Sequence, residues 1–93
     1  MGIEHKITLA HDVPAEDVVH PLLTALPQFT EYDTEYGLHN FGTAATAVTV
    51  SIEPDGFLVC DHLVDRELAR KVLDSLIRSI KELNVEVSDV SEV

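Results

Sequence analysis

The sequence predicts a two-layer α+β domain, with two helices on one face of a mostly antiparallel sheet. Three observations carry that expectation. Apolar and polar residues alternate from Ile3 to Leu9, two β-prone runs flank Pro54-Asp55-Gly56, and a broad apolar stripe recurs at helical spacing from Leu68 to Leu83. With 93 residues there is room for one core, so residues 1–93 form a single domain.

Taken in order, Ile3, His5, Ile7 and Leu9 alternate with Glu4, Lys6 and Thr8, the signature of a half-buried strand. Asp12 then offers a helix cap, Pro14 suits a first turn, and Glu16 and Asp17 complement the positive helix start. Val18, Leu22 and Ala25, with Val19, Leu23 and Leu26, form the apolar face. Pro21 lacks a backbone donor and is expected to kink or split this helix near His20, and Pro27 to end it.

Phe29 to Tyr36 reads as a strand with Tyr32, Thr34 and Tyr36 on one face and Glu31, Asp33 and Glu35 on the other. Gly37 to Gly42, containing His39-Asn40, reads as a turn or irregular link. Ala44 to Glu53 and Phe57 to Leu63 form a hairpin about Pro54-Asp55-Gly56, with glycine in a left-handed bulge position. Asp65 caps the second helix, which Asn84 ends in the left-handed conformation. Val85 and Val87 suggest a short last strand, and residues 88–93 a frayed tail. The order is β-α-β-β-β-α-β; with strand 29–36 set aside as an edge addition it becomes the split βαβ, ferredoxin-like pattern.

A bulged turn would pair Glu53 with Phe57, Val50 with Cys60 and Val48 with His62. The sheet face away from the helices would then carry Phe57, Val59 and Leu63, which predicts a homodimer through those residues. Cys60 would lie among aliphatic residues as a small hydrophobe.

Seventeen acids against six bases give a formal charge of −11. Nucleic acids and anionic membrane surfaces are therefore excluded as direct partners by repulsion. A basic protein is the partner class that such charge favours, and Glu31, Asp33 and Glu35 form its sharpest candidate contact, with Tyr32 and Tyr36 as anchors. The same charges also serve solubility and protect an edge strand from edge-to-edge pairing. The start of the chain resembles no signal peptide and no apolar run spans a bilayer, which predicts a cytoplasmic location.

No metal, cofactor or phosphate-binding pattern occurs: the single cysteine and the spacing of His5, His11, His20, His39 and His62 match no metal-ligand motif, and the four glycines form no nucleotide fingerprint. Three functions follow in descending order. The first is a non-enzymatic interaction protein of inhibitor, immunity or adaptor type. The second is a regulatory domain that senses a small molecule at a dimer interface. The third is a small enzyme using His39 or His62 as an acid–base group.

Overall fold

A computed structural model describes residues 2–42 and 47–93. The chain forms β1 (Ile3–Leu9), α1 (Glu16–Thr24), β2 (Phe29–Asp33), β3 (Leu38–Phe41), β4 (Val48–Glu53), β5 (Gly56–Asp61), α2 (Arg66–Glu82) and β6 (Val87–Glu92). The six strands make one antiparallel sheet in the order β2-β3-β4-β5-β1-β6. The apolar core lies between one sheet face and the two helices. Ile7, Phe41, Val48, Val50, Phe57 and Val59 from the sheet meet Val19 and Leu23 of α1 and Val72, Leu76 and Ile80 of α2. No helix among the described residues is long and apolar enough to cross a membrane.

The locally encoded elements fall where their residues predict. The Asp65 side chain accepts a hydrogen bond from the Leu68 N–H at 3.0 Å and caps α2. At the other end Asn84 takes φ 61°, and the Val85 N–H returns to the Ile80 carbonyl. Helix α1 starts later than Asp12 suggests: Ala15 is its N-cap and no side chain caps it. It continues through Pro21 without splitting, because a nine-residue helix packed by Val19 and Leu23 tolerates one missing N–H.

Four further expectations are corrected. Residues 38–41 are not a turn but β3, since β2 and β4 flank them and supply partners on both edges. Strand β2 stops at Asp33, where the Asp33 carboxylate accepts from the N–H groups of Glu35 and Tyr36 at 2.9 and 3.2 Å, closing a turn completed by Gly37 at φ 66°. Ser88 to Glu92 do not fray: β6 runs along the free edge of β1, and the Val93 N–H reaches the Glu4 carbonyl at 2.8 Å. Main-chain bonds hold this strand, as most of its side chains are exposed.

The fourth correction is the hairpin register. Glu53 pairs with Gly56, Ile52 with Phe57, Val50 with Val59 and Val48 with Asp61, so the loop is only Pro54-Asp55. Gly56 is not in the left-handed region. It is needed for space instead: a Cβ there would lie 1.8 Å from the Ile7 carbonyl oxygen. One residue of slip exchanges the faces of β5. Phe57 and Val59, each 1% exposed, enter the core, and Leu58 and Cys60 turn to the open face.

Candidate functional site

The open sheet face is assembled from the side chains that alternate away from the core. Across it stand Glu31 and Asp33 of β2, Leu38 of β3, Glu53 of β4, Leu58 and Cys60 of β5, Glu4 and Lys6 of β1 and Asp89 of β6. Lys6 is the only base among them and is already engaged, 2.7 Å from Asp55 and 3.9 Å from Glu53. Ser51 separates the two leucines, Asn40 and Thr49 on the same face are buried, and the carboxylates stand around this neutral centre. Charge is unevenly distributed along the chain: α2 carries five of the six bases and three of the seventeen acids, so the remainder holds one base against fourteen acids, among them Glu16 and Asp17 of α1.

The structure divides the predicted acidic ladder. Glu31 and Asp33 share the open face, but Glu35 and Tyr36 lie in the turn that Asp33 closes. Tyr36 is 71% exposed, whereas Tyr32 points into the helix layer. The predicted self-association face is not assembled, because the register buries Phe57 and Val59 and leaves only Leu63 outside, in the loop before α2 at φ 65°. Cys60 is half-buried on the open face rather than in the core, and burial together with Glu4 and Asp61 pushes its thiol up, away from a reactive thiolate. His62 beside it bonds Thr49 Oγ1 at 3.1 Å, with Cys60 Sγ 3.8 Å away.

A second cluster, invisible in linear spacing, forms between α1 and the β2–β3 hairpin. His20 Nδ1 lies 3.0 Å from His39 Nε2, and the Tyr32 ring packs on both, at centroid distances of 4.8 and 4.5 Å. His39 is 1% exposed, and its Nδ1 finds no hydrogen-bond partner among the described residues. Burial, and secondarily the charge of His20, lowers its pKa to about 4, although the neighbouring Val50 backbone works the other way. His39 is therefore a neutral core group whose polar contact is His20, not a histidine on an open catalytic loop. Outside it, Glu16, Asp17, His20 and Tyr32 line only a shallow depression. Among the described residues no three His, Cys, Asp or Glu side chains are placed to hold a metal ion.

A third feature is a cleft of about 630 Å³ between the first turns of α2 and strands β1 and β5. Val59, Ala69 and Leu73 give it an apolar floor, and Arg66, Arg70 and Asp61 contribute charge. Sequence reasoning missed it because its walls come from three separated elements.

Compared with known proteins, the chain matches no protein-family model, no curated protein and no solved structure.

Proposed function

We propose that the protein is a small acidic interaction module, of inhibitor, immunity or adaptor type, that binds a basic protein through its open sheet face. The observation that carries this reading is the face itself: both helices lie on the other side, and its carboxylates surround Leu38 and Leu58 with one base, Lys6, already paired. Glu31, Asp33 and Glu53 provide the steering charge, and the leucines a small apolar centre. The segregation of bases onto α2 adds orientation, since a basic partner is drawn to the sheet side and repelled by the helix.

The strand order also supports a ferredoxin-like reading of part of the sheet. In β6-β1-β5-β4 the connection β5-α2-β6 encloses β1, as a split βαβ unit does, and the β2–β3 hairpin extends the far edge. That fold hosts many functions, so it adds nothing to the choice of partner.

The test is affinity capture from source-cell lysate at low salt with wild-type protein, a Glu31→Lys/Glu53→Lys variant and an Asp74→Lys control on α2. The expected result is one stoichiometric basic protein, released by a salt step, held by wild type and control and lost by the double variant. Equal capture by all three, or none by any, would overturn the proposal.

A further inference from the structure

Six strands spaced about 4.8 Å apart make a sheet roughly 24 Å between its outer strand axes, wider than two helices of about 10 Å can roof. The shortfall falls at the β1–β6 edge. Val90 of β6, opposite Ile7 and facing the helix layer, stays 40% exposed there, whereas Ile7 itself is fully buried. On the same side of the sheet the cleft beside the first turns of α2 is lined from β1 and β5, and its 630 Å³ is a size suited to a small molecule.

The charges in the cleft can be paired off. Asp61, 3% exposed, accepts the Leu63 N–H at 2.8 Å through Oδ1, and its Oδ2 stands 3.7 Å from Arg66 Nε. Glu67 faces Lys71 at 3.4 Å, and His5 at the mouth faces Glu92 at 4.0 Å. Arg70 remains. In a chain with seventeen acids its guanidinium has no carboxylate within 4 Å among the described residues, and it borders a concave apolar surface.

We infer that this cleft binds a small organic monocarboxylate, with the carboxylate on the Arg70 guanidinium and an apolar body against Val59, Ala69 and Leu73. Arg70 and Arg66 are four residues apart on α2 and so lie on one side of the helix; Arg70 supplies the fork geometry that matches a carboxylate. Asp61 holds Arg66 and Glu67 lines the same wall, so the cleft sets two bases against two acids and leaves Arg70 as the unpaired guanidinium, which disfavours a dianion such as phosphate. The inference is independent of the open sheet face, which lies on the opposite side of the sheet.

Titration of ¹⁵N-labelled protein with hexanoate, hexanamide and inorganic phosphate, followed by amide chemical shifts, tests it. Hexanoate is expected to produce saturable shifts at Val59, Ala69 and Leu73, with hexanamide and phosphate at least tenfold weaker. Arg70→Gln, at an exposed position that leaves the spectrum otherwise native, is expected to weaken hexanoate at least tenfold, and Arg78→Gln on the same helix to leave it unchanged. Absence of saturable shifts at millimolar hexanoate, equal binding of hexanamide or phosphate, or undiminished binding by Arg70→Gln would each overturn the assignment.

Discussion

The buried histidine makes stability depend on pH in a window that carboxylates alone do not reach. In the unfolded chain His39 titrates near 6.5, and in the folded protein near 4, because protonation would charge a ring that is 1% exposed and touches His20. Between those values the unfolded chain binds the additional proton. Stability from this group is therefore complete above pH 6.5, falls as the pH drops, and is gone below about pH 4. A shift from 6.5 to about 4, at 1.36 kcal/mol for each unit, corresponds to about 3 kcal/mol, a large share of the stability of a domain this small. Urea unfolding of wild type and His39→Leu at intervals from pH 7.5 to 4 isolates the effect, since the seventeen acids titrate in both proteins and cancel in the difference. Wild type should lose about 3 kcal/mol more than the variant over that range. An exposed control, His11→Ala, should track wild type. Parallel curves for wild type and His39→Leu would refute the reasoning, showing either that the ring protonates without cost or that it is wet in solution.

The remaining predictions concern the scaffold. Gly56→Ala should destabilise by about 3 kcal/mol or more, measured by thermal or urea unfolding, because the new Cβ meets the Ile7 carbonyl and neither strand can yield. Phe57→Ala should cost about 3–5 kcal/mol and Leu58→Ala distinctly less, an ordering that reverses if the hairpin has the three-residue loop. Asp65→Ala should remove about 1 kcal/mol through loss of the α2 cap, and Asp65→Asn should retain most of it.

What the sequence revealed and what it concealed divide along the range of the interactions involved. Asp65, Asn84 and the Leu68–Leu83 stripe act within a turn or two of helix, and α2 was legible from them. The position of the hairpin was legible for the same reason, but its register was not. Pro54-Asp55-Gly56 is compatible with a two- or three-residue loop, and the choice rests on Gly56 passing close to Ile7, almost fifty residues away in the chain. Likewise His39-Asn40 between two glycines carries turn chemistry, and only pairing with β2 and β4 makes it a strand. The His20–His39 contact joins a helix to a strand across nineteen positions, and no spacing rule reaches it; the one available hint was a half-polar helix face beside an aromatic strand. A last strand was legible at Val87, but its continuation through Glu92 was not, because those side chains stay in solvent and the strand is held by main-chain pairing at an open edge.

The register correction also changes which physics can drive association. With Phe57 and Val59 outward, the open face would have been apolar enough to bury against a second copy. With them inward, it offers two leucines among carboxylates, and a second identical acidic face would be repelled, not attracted. The partner best matched to such a face is one of opposite charge. Acidity held only for solubility would not require the bases to collect on one helix, whereas a protein that must meet its partner in one orientation gains from a field running from α2 through the sheet. The same segregation leaves Arg70 without an acidic partner above the cleft, so one distribution of charge accounts for both proposed binding surfaces.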